Sequence, residues 1–542
     1  MIHNPILTGF HPDPSILRVG EEYFLVTSSF EWLPALPIYR STDLEHWELV
    51  CHALLEERDL QGISSACGIW APALSFSAEN QLFYLSYSLV YGFQQNNFDI
   101  ENFVITATHP RDTWSKPKYL SSSGFDPSFF HDVDGKSYVV SLEWEFRQHY
   151  THPGRIILQE YDREKSILVG NVHILSTGAS KRGCAEGPNL YYRNGFYYLL
   201  IAEGGTGYGH CTTVSRATKV TGPYEPAPNN PLLTSYREDF DEIGIPNSAK
   251  PWRYAKGQVL QKAGHGNLVE TPEGETYCTH LLSRPIGEEH YSVLGRETGI
   301  QQCIWKDDWI FLNNGDIIAE EYTPKPRNTR PSSCYPAKEG VVHDDFTQNI
   351  PNYYYAPRCP LSDEWVKVTK EGLSLRGRGS LFGKYHTSLL ARKSNAFSFQ
   401  VDTKLVTKPE NHLQMAGLTN YYNNENFYFL RLYYSQSHDS LALGILEGKQ
   451  GAREEYTKYS VKLKEFNCIY LRAVVDYEEL QYYYSYDDKL FYPIGPVLPM
   501  GILSDEFAGG FTGSFVGLIA TDMMYQTWEA TFPYLTYTNK PS

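Results

Sequence analysis

The chain has 542 residues, is 15% aromatic with 42 Tyr, and carries a formal net charge of −16 at pH 7. So acidic a chain shows none of the clustered Lys and Arg that a phosphate-binding surface needs, which excludes nucleic acid as a partner. No apolar run approaches the ~20 residues that cross a bilayer, and the nine cysteines form no Cys-x-x-Cys pair, so membrane insertion, zinc and redox chemistry drop out too.

From the N-terminus, residues 1–10 lack a basic segment followed by an apolar core. With free thiols, that points to a cytoplasmic protein. A pattern of apolar strand, tight turn and aromatic strand then recurs at residues 14–25, 72–85, 127–140, 188–199 and 266–279. Its turns carry hairpin chemistry in Asp134-Gly135, Asn194-Gly195 and Glu273-Gly274. The period is irregular, roughly 55 to 80 residues, which suits propeller blades with variable loops better than a strict solenoid. Five copies predict an all-β, five-bladed β-propeller over residues 1–322. The Gly-rich stretch from Glu203 to His210 lacks the Gly-Lys-Ser/Thr ending of a phosphate cradle and reads as a surface loop near the site.

Residues 323–338 are polar and proline-rich, as a linker would be. Strand patterns resume at Phe397–Asp402, Asn426–Tyr433 and Gln481–Tyr486, separated by turn residues. They predict a β-sandwich over residues 339–542.

Three acids stand out, each in a Pro- or Gly-flanked motif just before a hairpin copy. They are Asp13 in His11-Pro12-Asp13-Pro14-Ser15, Asp126 in Phe125-Asp126-Pro127-Ser128, and Glu186 in Ala185-Glu186-Gly187-Pro188-Asn189. An Asp before Pro commonly just sets a turn. Three at equivalent places in a repeat would instead meet around one axis, where paired carboxylates can cleave a glycosidic bond.

These motifs, together with Gly264-His265-Gly266-Asn267, Ser283-Arg284-Pro285 and Gly510-Phe511-Thr512-Gly513, resemble the signatures of glycoside hydrolase family 43. The likeness runs over essentially the whole chain and is closest to the two-domain β-xylosidases, whose sandwich is concanavalin-like. It implies exo-acting release of D-xylose from the non-reducing ends of β-1,4-xylo-oligosaccharides, with inversion. By that resemblance Asp13 is the general base, Glu186 the general acid, and Asp126 the anion that raises the pKa of Glu186 and orients it. An inverting pair needs its carboxyls roughly 6.5–9.5 Å apart to admit water, a gap that opposite blades can supply.

The resemblance also places Phe30, Trp70 and Trp144 in the sugar pocket and gives Arg284 the ring hydroxyls and a contact with the acids. Phe511 is the aromatic inserted by the sandwich, with Phe515 the other candidate. His265 lies beneath the acids or holds an optional Ca2+, directly or through water; no cofactor is required. One imidazole is a weak calcium signature, since the ion prefers several oxygen ligands. A homo-oligomer is expected. Two other readings stay open: an α-L-arabinofuranosidase, alone or as a dual activity, and a noncatalytic carbohydrate-binding protein. An invertase-like retaining enzyme fits poorly, because its Asn-Asp-Pro-Asn and Arg-Asp-Pro boxes are missing here.

Overall fold

Each of the five copies forms the first hairpin of an antiparallel sheet. In this computed structural model, which describes residues 1–55, 60–94, 97–147, 154–238, 253–336 and 339–540, the first sheet runs Ser15–Val19, Glu22–Val26, Ala35–Ser41, Glu48–Leu54. Four more sheets follow in chain order, with first strands at Gly68–Ser77, Ser128–His131, Glu186–Arg193 and Gln261–Glu270. Each first strand packs against the next sheet's first strand, and the fifth packs back on the first. That closed order is a propeller. The ring is tied where Ile2–His3 pairs with Tyr322–Thr323.

The C-terminal half is a sandwich. A six-stranded sheet has the spatial order Val341–Asp344, Leu535–Asn539, Ser398–Leu405, Ile469–Asp476, Glu479–Ser485, Tyr492–Pro499. The main path of the opposing sheet is Ser388–Lys393, Phe515–Asp522, Gln414–Asn423, Asn426–Ser435, Ser440–Lys449, Ala452–Glu455. Ile469–Asp476 alternates buried and partly exposed residues, as a strand with one wet face must. Phe515–Asp522 and Gln414–Asn423 are buried at every position.

The period of two explains that difference. Val516, Leu518 and Ala520 join the sandwich core with Phe399, Val401, Ile469 and Leu471. Phe515 and Ile519 face the other way, into a second core with Phe10, Phe30 and Trp32 of the propeller. Phe515 lies flat on Trp32, ring centroids 3.6 Å apart. Trp32–Leu33 also pairs with Ala356–Pro357, so the two halves share a short ribbon. Among the described residues no helix is long and apolar enough to cross a membrane, and all nine cysteines are free thiols.

Candidate active site

The five first strands begin in the same strained way. Aligned on the Pro or Gly that follows, the residue before each is Asp13, Ala71, Asp126, Gly187 and His265, with φ of 53°, 41°, 56°, 55° and 56°. Left-handed backbone at a non-Gly residue costs about 1–3 kcal/mol and persists only when its surroundings enforce it. Here its repetition marks a common device at the top of every sheet. It also corrects the expected equivalence of the three acids. Gly187, not Glu186, matches Asp13 and Asp126, and Glu186 stands one residue earlier. A Cβ on Gly187 would come 2.9 Å from Cε1 of His265, so a side-chain-free residue is needed there, and the acid of this sheet moves one place back. The Gly187 N–H instead donates to Asp126 Oδ2 at 2.9 Å.

Asp13 is 6% exposed and Asp126 7%. The Ser28 hydroxyl donates to Asp13 Oδ2 at 2.7 Å. Arg296 Nη1 donates to Asp13 Oδ1 at 3.1 Å, and His265 Nδ1 lies 3.9 Å from the same oxygen. Burial pushes Asp13 up, but Arg296, His265, the Ser28 hydroxyl and His210 outweigh it and hold the carboxyl below its ordinary value. The other two acids go the opposite way. Burial, then the charge of Asp13, pushes Asp126 up to about 7. Burial, then Asp126 and Asp13, raises Glu186 well above the usual carboxylate range. One acid is pinned ionised and another is kept protonated, which is the division of labour that acid/base hydrolysis requires.

Arg296 takes the place expected of Arg284. Arg284 is bound bidentately to Glu297, Nε to Oε2 at 2.7 Å and Nη2 to Oε1 at 2.8 Å, and lies over Phe397. Glu297 is fully buried and its charge needs that partner. Successive residues of an extended chain face opposite sides, so Arg296, next to Glu297, points back to Asp13. Its guanidinium also lies over the rings of Phe30 and Phe511, 5.3 and 5.4 Å from their centroids. Arg-Glu also occurs at Arg163-Glu164, Arg237-Glu238 and Arg453-Glu454, so no local signal in the sequence singles out Arg296.

An aromatic collar lies beside the acids, with Phe125 preceding Asp126 and the rings of Phe30 and Phe511 sharing the Arg296 guanidinium with Asp13. Trp70 is 5.6 Å from Phe30, 5.8 Å from Phe93, 6.0 Å from Phe125 and 6.2 Å from Phe511, centroid to centroid. Trp144 packs 4.4 Å from Phe98 and 5.9 Å from Phe125. The three ring residues read from sequence are thus joined by Phe93, Phe98 and Phe125, of which Phe125 sat unremarked beside Asp126. Trp70, Trp144 and Phe511 remain partly exposed, leaving faces on which a sugar ring can rest.

The sandwich supplies Phe511, while Phe515 is core. The Phe511 carbonyl accepts from Arg296 Nη2 at 2.9 Å. Gly295 makes the approach feasible, because a Cβ on it would overlap the Thr512 carbonyl. The preceding helical turn, Asp505–Ala508, is clamped by Glu506. That carboxylate accepts from Lys262 Nζ at 2.5 Å and from the Ser292 N–H at 2.6 Å. The Tyr208 hydroxyl reaches it too. Tyr208 belongs to the Gly-rich stretch read as a surface loop, which is in fact buried under this helix. Its last residue, His210, is fully buried near Asp13 and His265, and burial, then His265, drives it down to about 3.

The resemblance assigns His265 an optional Ca2+, held directly or through water. Among the described residues His265 belongs to no group of three acidic, His or Cys ligands close enough to share an ion. The Asp13 oxygens are taken by Ser28 and Arg296, and Gly187 holds Oδ2 of Asp126. No step is assigned to a cation. Asp43, Glu45 and His46 do cluster, but Asp43 accepts from the Glu45, His46 and Ser332 N–H groups, and Glu45 pairs with Lys325.

Comparison with known proteins agrees with this geometry. Residues 2–310 match the model for glycosyl hydrolases family 43, and residues 343–538 match that for the beta xylosidase C-terminal concanavalin A-like domain. A xylosidase/arabinosidase 43B of Humicola insolens is 38% identical, covering 99% of this chain and 97% of its own. A beta-xylosidase of Bacillus subtilis (strain 168) is 35% identical over 99% of this chain and all of its own. The crystal structure of a xylan beta-1,4-xylosidase from Bacillus halodurans C-125 superimposes with a TM-score of 0.92 at 37% identity, covering 99% of this chain and 100% of that one. A propeller with three converging acids, joined to a concanavalin-like sandwich that reaches into the same pocket, places this chain in glycoside hydrolase family 43.

Proposed function

We propose that the protein is an inverting β-xylosidase, releasing D-xylose one unit at a time from the non-reducing end of xylo-oligosaccharides. The observation that carries the reading is the opposed ionisation of Asp13 and Glu186 beside an aromatic collar. In the proposed cycle Asp13 takes a proton from water as that water attacks the anomeric carbon, and Glu186 gives its proton to the departing glycosidic oxygen. Asp126 keeps Glu186 protonated between turnovers, with its own carboxylate steadied by the Gly187 N–H. Phe511 caps one side of the pocket, which favours chain ends over internal bonds. Arg296 both holds Asp13 ionised and ties Phe511 in place.

The test is the anomer released first. With xylotriose, proton NMR in the opening minutes should show α-xylose and xylobiose ahead of mutarotation. Early β-xylose would overturn the single-displacement mechanism, and with xylohexaose in place of xylotriose, early oligomers of two to four units without xylose would overturn the exo reading. A second reading, α-L-arabinofuranosidase activity in the same pocket, is favoured by the 38%-identical relative named for both activities. The ratio of kcat/KM on p-nitrophenyl β-D-xyloside and α-L-arabinofuranoside decides between them.

A further inference from the structure

A cavity outside the active site, lined by two cationic side chains, lies where propeller, linker and sandwich meet. It offers about 50 Å³ of free space. The propeller contributes Leu7, Thr8, His11, Tyr39 and Trp47 to its wall; Tyr335 and Pro336 come from the segment between domains. The sandwich adds Tyr353, Tyr355, Arg392, Lys393 and Asn395. Arg392 and Lys393, the last two residues of the strand Ser388–Lys393, both line this one small cavity.

Among the described residues neither cation has a carboxylate partner. Arg392 is 2% exposed, and its Nε and Nη1 are buried with no hydrogen-bond partner among the described residues. Its guanidinium rests on the rings of Tyr537 and Tyr353, 4.2 and 5.1 Å from their centroids, contacts that leave its N–H edges unused. Lys393 Nζ stands over Tyr355 and Phe10, 5.1 and 5.3 Å from the ring centres. Burial, with no carboxylate to oppose it, drives its ammonium well below the ordinary lysine value. The acid behind this wall, Asp344, is already engaged by the hydroxyls of Tyr353 and Tyr354. Asn395 adds a buried side-chain oxygen with no partner.

A buried guanidinium next to a half-buried ammonium, with no carboxylate bonded to either among the described residues, is a costly arrangement, and truncating either would be easy for a sequence that had no use for them. A single anion between them would satisfy the idle guanidinium nitrogens and return the ammonium to its charged form. Size limits the choice. On the scale where one water needs roughly 10–15 Å³, the chamber takes about four water-sized atoms, which suits a free tetrahedral ion better than a phosphorylated sugar. We propose that the interdomain cavity bounded by Arg392, Lys393 and Tyr335 binds one small oxyanion, phosphate or sulfate. Because its wall is drawn from both halves, the bound ion acts as a cross-link between them. His11, two residues before Asp13, shares the wall, so the ion also stiffens the strand entry that carries the base. The proposal is independent of which glycoside the enzyme cleaves.

The test compares thermal unfolding of the full chain in phosphate, sulfate, acetate and chloride at equal pH and ionic strength, with calorimetric titration of inorganic phosphate alongside. One phosphate per chain and a rise in Tm of about 3 °C over chloride are expected at saturation. Lys393→Met removes a half-buried charge with no carboxylate partner while keeping volume, so the variant should fold, with a basal Tm no lower than the parent and the phosphate-specific rise gone. A phosphate response no larger than that of chloride overturns the proposal. So does a Lys393→Met protein that keeps the full rise, or a titration showing no heat of binding. Arg392→Met provides a second variant, but the outcome with Lys393→Met decides even if Arg392→Met does not fold.

Discussion

At the scale of single residues, the proposed chemistry rests on three carboxyls in unequal environments. Replacing Glu186 by Gln should lower kcat/KM on xylobiose by about 10²–10⁴, the ordinary range for loss of a general acid. Aryl xylosides with good leaving groups should lose far less, since their oxygen leaves without a proton. The pH profile follows from the directions of the shifts. In the proposed cycle Asp13 works ionised and Glu186 protonated, so activity should fall on the acid side as Asp13 gains its proton and on the basic side as Glu186 loses one. Asp126→Asn removes an anion that raises Glu186, and the basic limb of kcat should move to lower pH. Stability should respond as well. A buried carboxyl raised to about 7 binds a proton more tightly folded than unfolded, so its contribution is lost as pH climbs from about 4 through 7. Asp126→Asn should therefore raise Tm at pH 8 more than at pH 4. Arg296→Met should move the acid limb up, because Asp13 loses the cation that holds it down. The three acids were legible because a Pro or Gly beside an acid leaves a local mark. Arg296 was not, since its partner Asp13 is 283 residues away and no local rule links them.

At the scale of elements, the hairpins could be read from their turn residues and alternating strands, both of which are local. What could not be read was the one-residue offset of Glu186. It depends on the His265 imidazole filling the space a Gly187 side chain would need, and that neighbour comes from a different sheet. The choice between Phe511 and Phe515 had a local answer that needed the strand's boundary. Phe515 opens the strand Phe515–Asp522 and takes its propeller-facing side, whereas Phe511 lies in the loop before it. Phe511→Ala should raise KM for xylobiose about tenfold, the effect of losing roughly 1.4 kcal/mol of ring contact, with a smaller change in kcat. Gly295→Ala acts on the same contact from the propeller side. It would push Thr512 away, and the same KM increase is expected although Gly295 need not touch the sugar.

At the scale of the molecule, the two halves cannot be separated without exposing a large apolar surface. Phe10, Phe30 and Trp32 of the propeller are each at most 2% exposed, and sandwich residues such as Phe515 and Ile519 help cover them. A chain ending at residue 322 should aggregate or lose all activity on xylotriose, measurable by light scattering and product NMR, even though all three acids are retained. Composition could foretell two β domains, but not that one would complete the other's pocket.

The sheet buried on both faces has a consequence for recombination. Its two sets of alternate side chains answer to different partners, one set to the sandwich's own second layer and the other to a propeller nearly 500 residues upstream. Grafting the sandwich of a related enzyme onto this propeller would preserve the first set of contacts and scramble the second. Viable chimeras should therefore be those in which Phe10, Phe30 and Trp32 travel with Phe511, Phe515 and Ile519 as one inherited block, wherever the crossover in the linker is placed.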